Sequence, residues 1–259
     1  MALLPTFALT VGALAQSARP VSDIFAHSQQ MIVVVTPGWN SVDGRLQRYE
    51  RQSAKKAWQP VGDSIAIVVG KNGLGWGRGL VPAPPDADHT KKEGDGRSPA
   101  GVFALGTAFG YAPEKLSGSK LPYLALTPSI ECVDDVNSTQ YNRIVDRSSV
   151  TPDWSSSEHM RNTGESYRWG VVVDHNGIAA TPSSSRTIQG GGSCIFLHIW
   201  QGVGHGTAGC TAMAPANIES LIAWLDPKRK PLLVQLTADD YARLMKPWSL
   251  PAVINLPAR

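Results

Sequence analysis

Short apolar runs of four to eight residues, closed by glycine, proline, asparagine or aspartate, set the rhythm of this chain. Met31–Thr36 (MIVVVT), Ser64–Gly70 (SIAIVVG), Val102–Leu105, Tyr167–Asp174, Cys194–Ile199 and Leu232–Leu236 read as buried strands. Runs of this length, rich in β-branched residues, fit a sheet covered on both faces. Gly44–Trp58 carries turn signals followed by polar alternation, as in a half-exposed strand. A helical period occurs at Ile218, Leu221, Ile222 and Leu225, spaced i, i+3, i+4, i+7. Pro215 stands ahead of them where a missing N–H costs least, and Asp226-Pro227 ends the stretch. The segment Gly73–Gly79 alternates glycine with bulky residues and lacks the spacing of a phosphate-cradling loop, so a turn or bulged hairpin is expected. Residues 112–165 hold clusters of Pro, Ser, Asn and Asp with few long apolar runs. Such an insertion is either a flap over a substrate or a solvated decoration. Strands around one short helix predict a single α+β domain, mainly β.

Composition narrows the function classes. The 259 residues, 42% of them apolar, suffice for a sizeable core. A formal charge of +3, with lysines and arginines spread along the chain, is far from a nucleic-acid footprint. Ala2–Ala15 is uncharged and apolar and closes in Ala13-Leu14-Ala15. It reads as the apolar region of a signal peptide, too short to span a bilayer; the usual basic start is absent, so either the true start lies upstream or the segment is an apolar N-terminal element. The expectation is therefore an exported protein of the periplasm or cell envelope, with a leader over residues 1–26, a mature chain from near Gln16, a catalytic domain over 27–259, and no transmembrane span. The cysteines, Cys132, Cys194 and Cys210, are odd in number, and none has zinc-site spacing. No metal and no cofactor are expected.

Candidate chemistry concentrates in Gly192–Met213. His198 closes the run Cys194-Ile195-Phe196-Leu197, and Cys210 follows Gly202, Gly204, Gly206 and Gly209. A thiol attacks as thiolate, and an imidazole nearby can take its proton and return it to a leaving amine. Small residues before the cysteine let backbone N–H groups of Ala208, Gly209 and Cys210 approach a developing oxyanion. His205 is a rival base only five positions from Cys210, on a glycine-rich loop that orients it poorly and suits it better to touching substrate. His175 and Asn176 end a strand before Gly177, where they either face a cleft or cap the turn. The helix that begins at Pro215 adds an electropositive field if its N-terminus lies close to Cys210.

Thr207, Gly209 and Cys210, with His198 on a strand before them, resemble the signature of the L,D-transpeptidase catalytic domain family (the YkuD type), in the divergent branch whose motif reads Thr-Ala-Gly-Cys. Ala208 stands in place of the signature's second histidine and Ala212 where the family has Asn or Arg, and the loop from His198 is short. Lys92–Phe103, with its Ser98-Pro99-Ala100-Gly101-Val102-Phe103, and Trp169–Asn176 (WGVVVDHN) also resemble family segments, so the likeness spans about residues 60–236. It implies a β-rich domain of mixed sheets or a sandwich, monomeric, acting on peptidoglycan stem peptides. Cys210 would be the nucleophile, His198 the base held by a backbone carbonyl, and Thr207, His205, His175 and Asn176 candidates for touching substrate. The alternatives are an L,D-carboxypeptidase or other cysteine hydrolase on the same peptides, and a non-catalytic cell-wall-binding module.

Cys194 lies in the strand that delivers His198, and Cys132 at the start of the insertion. A Cys132–Cys194 disulfide would tie the two together and leave Cys210 free; two buried free thiols are the alternative.

Overall fold

The computed structural model describes residues 21–178 and 187–252, so the expected signal segment lies outside the described residues. The strands are β1 (Gln30–Thr36), β2 (Asp43–Glu50), β3 (Gln59–Val68), β4 (Leu74–Trp76), β5 (Ser98–Gly110), β6 (Tyr123–Ala125), β7 (Ile130–Val133), β8 (Ile144–Asp146), β9 (Ser157–His159), β10 (Trp169–Val173), β11 (Phe196–Ile199), β12 (Thr211–Met213) and β13 (Leu232–Thr237). The helices are α1 (Val21–Ala26), α2 (Pro215–Trp224) and α3 (Ala238–Leu244).

Hydrogen bonding runs β10-β11-β12-β3-β2-β1-β13-β5, and the far half of β5 pairs back onto β10. The fold is mainly β, as expected, and of the two expected arrangements the sheet is mixed, but its eight strands close into a barrel where a sandwich would stay open. Closure depends on β5, whose 13 residues pair with β13 at one end and β10 at the other. A closed sheet leaves no bare edge in the wall. The main core covers both faces of this wall at β1, whose consecutive residues Met31 through Val35 alternate in direction and are all essentially buried. β1 and β2 belong to this wall although they precede the segments that resemble the transpeptidase family.

Three further expectations need correction. The glycine-rich segment at 73–79 is no hairpin: Leu74–Trp76 pairs parallel to Ser98–Ala100 at the start of β5. The predicted helix is present as α2, with Ile218, Leu221 and Ile222 buried, but α1 and α3 accompany it. The insertion is less loop-like than its composition implies, since β8-β7-β9 form a separate three-stranded sheet.

That sheet packs on the outside of the barrel. Side chains of β11 alternate, so Leu197 and Ile199 enter the main core while Phe196 faces outward. There it joins Phe109, Tyr167, Cys194 and Cys210 of the barrel side and Cys132 and Met160 of the insertion in a second apolar cluster. The Cys132–Cys194 disulfide staples the two sides together, with Cα atoms 6.0 Å apart.

Candidate active site

Cys210 immediately precedes β12, which runs parallel to β11 with Leu197 opposite Thr211 and His198 opposite Ala212. Extending that register by one places Cys210 beside Phe196, whose N–H donates to the Cys210 sulfur at 3.3 Å. Strand alternation then puts Cys210 and His198 on the same outward face, as diagonal neighbours on adjacent strands. The thiol S–H donates to the Cys194 carbonyl at 3.4 Å. His198 Nδ1 lies 2.8 Å from the Ile199 carbonyl oxygen. A carbonyl only accepts, so Nδ1 carries the proton and Nε2 presents its lone pair.

Burial sets the resting charge state of both groups. Loss of water pushes the Cys210 thiol well above its usual value, and the charge of Glu158 adds to the shift. Burial likewise lowers His198 to about 4, opposed by its bond to Ile199. At neutral pH the pair is a neutral thiol and a neutral imidazole, the form in which the imidazole can accept a proton.

Two adjoining hollows open onto this pair. One, of about 240 Å³, contains Cys210 and His198 together with Lys91, Glu93 and Asp134. The other, of about 320 Å³, contains His198, Trp200 and His205. They meet at Glu158, Tyr167, His198, Thr207 and Ala208, forming a continuous cleft between barrel and insertion. Together they have the size of a small-molecule or peptide site. His198 borders both hollows and His205 only the one without the thiol, which distinguishes the two candidate bases.

The remaining candidates divide. Thr207 lines the cleft, but its hydroxyl donates to the Cys210 carbonyl at 2.6 Å and accepts from the Gly209 N–H at 3.1 Å, so it serves the loop. Ala208 is exposed in the cleft. His175 and Asn176 border neither hollow. The His175 Nδ1 accepts from the Arg78 N–H at 3.2 Å and its Nε2 faces the Gly191 carbonyl at 3.1 Å, while burial lowers its pKa to about 3. Asn176 exchanges hydrogen bonds with Ile188 and donates to Gly192, which makes the two residues a latch for the approach to β11. The helix field does not reach the thiol either: β12 separates Cys210 from α2, roughly 10 Å of extended chain, beyond the first turn where such a field acts.

Several site residues carried no local signal. Tyr167, on a tight turn before β10, packs edge-on against His198 with ring centroids 5.3 Å apart and donates to Glu158 of β9 at 2.6 Å. It shares the smaller hollow and the outer apolar cluster with Cys210. Glu158 is raised to about 7 by burial, with Asp134 and Glu93 adding like charge. Ser98, at the start of β5, donates to the Cys210 carbonyl at 2.7 Å and accepts from the Gly70 N–H at 2.8 Å. Gly70 permits this approach, because a Cβ there would stand 2.3 Å from the Gly96 carbonyl oxygen.

Among the described residues, no cluster of His, Cys, Asp and Glu is arranged to hold a metal ion, and no helix is long and apolar enough to cross a membrane. No family model, curated protein or solved structure matches this chain.

Proposed function

We propose that this chain is a cysteine acyltransferase of the L,D-transpeptidase kind, exported to the cell envelope and acting on peptidoglycan stem peptides. The observation that carries the proposal is the pairing of a free thiol with an imidazole on one face of two parallel strands, at the floor of a cleft. The Ile199 carbonyl fixes the tautomer of that imidazole.

In this reading the Cys210 sulfur attacks the carbonyl of the L-to-D bond in a tetrapeptide stem as its proton passes to Nε2 of His198. The imidazolium then gives the proton to the departing D-alanine nitrogen, leaving a thioester on Cys210. An amine resolves it to a new amide, or water resolves it to a carboxylate. The Gly209 amide is committed to Thr207, so oxyanion stabilisation falls to the amides of Ala208 and Cys210. The neutral resting pair makes proton transfer concurrent with attack, which ties ionisation of the thiol to a bound substrate.

The test is mass spectrometry of the protein incubated with a tetrapeptide muropeptide, with and without an amine acceptor. An acyl-enzyme mass on the wild type, absent in Cys210→Ala and formed roughly 10²–10⁴-fold more slowly in His198→Ala, supports the reading. Turnover by Cys210→Ala at the wild-type rate overturns it. Products that are hydrolysed even with the amine present identify a carboxypeptidase. Absence of any adduct leaves a binding module.

A further inference from the structure

Tyr167 joins the nucleophile, its base and a carboxyl group. Its ring lies against His198 and against Phe196, at 5.3 Å and 5.5 Å between centroids, its hydroxyl donates to Glu158 at 2.6 Å, and Tyr167, His198 and Glu158 line one hollow with Cys210. Glu158 belongs to the insertion. It pairs in register with Cys132, so the sheet face carrying the disulfide also aims Glu158 at the barrel wall. We infer that Glu158 governs the nucleophile through Tyr167: as a carboxylic acid it donates to the phenol oxygen and frees the phenol O–H for the Cys210 thiolate, and as a carboxylate it claims that O–H. The inference rests on the reading of Cys210 as a nucleophile. In it Tyr167 is a catalytic residue and Glu158 a positioning residue.

The proton accounting is short. In acylation the Cys210 proton passes to Nε2 of His198, and in alkylation without substrate it passes to solvent, so that thiolate grows with pH; in both cases the Tyr167 O–H turns to the sulfur as negative charge forms there. No proton crosses Tyr167. With Glu158 ionised, the thiolate loses this donor and gains a like charge nearby, and both effects oppose its formation.

The surrounding charges favour a protonated Glu158. Burial holds it protonated up to about pH 7, and Asp134 and Glu93, which line the same hollow, add like charge. Lys91 also lines that hollow, with its ammonium 2.6 Å from Asp95. On the turn that carries Tyr167, Arg168 pairs with Glu165 at 3.2 Å. Glu131, Arg147 and His159 interact on the other face of the three-stranded sheet, one register position away from the Cys132–Glu158 pair. Cys210 and His198 complete the set.

Alkylation of Cys210 by iodoacetamide, followed by intact mass from pH 5.5 to 9, reads the gate without any peptide substrate, because the disulfide-bonded cysteines do not react. In the wild type the logarithm of the rate climbs to about pH 7 and then bends to a shallower slope. In Glu158→Gln the bend is gone, and the ratio of its rate to that of the wild type grows about tenfold between pH 5.5 and 9. In a Tyr167→Phe background the same substitution changes that ratio by no more than about threefold. A wild-type profile rising at constant slope through pH 7 overturns the inference and requires no variant to fold; so does a Glu158→Gln ratio independent of pH. A bent profile without tetrapeptide turnover removes the acyltransferase reading and supports the gate, and turnover with a straight profile does the reverse.

Discussion

At the scale of single residues, the carbonyl oxygen of Cys210 explains how the proposed nucleophile is held. It accepts from Ser98 and from Thr207, two hydroxyls that arrive from segments more than 100 residues apart. Ser98→Ala removes one donor and leaves the buried Gly70 N–H without its acceptor, a cost of about 1–3 kcal/mol in denaturant unfolding. Acylation should slow by about tenfold or more, since small misplacements of a nucleophile are expensive. Thr207→Ser keeps its hydroxyl and should stay near the wild type in both measurements. Asn142 plays the matching role beneath β11. It is fully buried with φ +58°, its Oδ1 accepts from the Cys194 N–H, and its Nδ2 donates to the carbonyls of His175 and Asn176. Asn142→Ala should lower stability by about 3 kcal/mol, and Asn142→Asp by at least as much, because its carboxylate keeps the acceptor for Cys194 but faces the carbonyls of His175 and Asn176 with no proton to donate.

At the scale of elements, the insertion is a wall of the cleft whose position depends on the staple to β11. Cys132 and Cys194 are separated by 62 positions, and in the chain-entropy picture a link closing that loop contributes about 4 kcal/mol. The Cys132→Ser/Cys194→Ser protein should lose up to that amount while its far-ultraviolet spectrum keeps the signature of the barrel. Its acylation should slow, because Glu158 and Asp134 are carried by the loosened wall. A thiol count on the unreduced, unfolded wild type should give one, that of Cys210; a count of three would exclude the bond.

For the whole molecule, acid should weaken the fold through its buried histidines. His175 and His198 are lowered to about 3 and about 4, so from about pH 6.5 downward the unfolded chain takes up protons that the folded chain refuses. The stability each contributes is present above the unfolded value and is lost as pH falls toward the folded one. Glu158, raised to about 7, acts in the opposite sense, its contribution being full below the usual glutamate value and lost as pH rises through 7. Two histidines against one glutamate leave a net excess of protons on the unfolded chain between about pH 4.5 and 6.5. The denaturant midpoint should therefore rise with pH across that window, and more steeply in Glu158→Gln, which removes the opposing group. A flat or falling midpoint would contradict the assignment.

The sequence by itself determined the parts that depend on neighbours along the chain. Runs such as Met31–Thr36 and Leu232–Leu236 became strands, and the spacing of Ile218, Leu221 and Ile222 became the buried face of α2, because backbone period and burial act over a few residues. Cys210 and His198 stood out for the same reason, as chemistry flanking a glycine-rich turn. Only the tertiary structure decided how β5 and β10 close the barrel, which side of β11 bears the site, and that Glu158 and Tyr167 pair in the hollow that holds the thiol. Those contacts join distant positions with no period relating them. His175 shows the same limit: a histidine at a strand end reads identically whether it faces a cleft or a backbone amide, and only the approach of Arg78 and Gly191 separates the two.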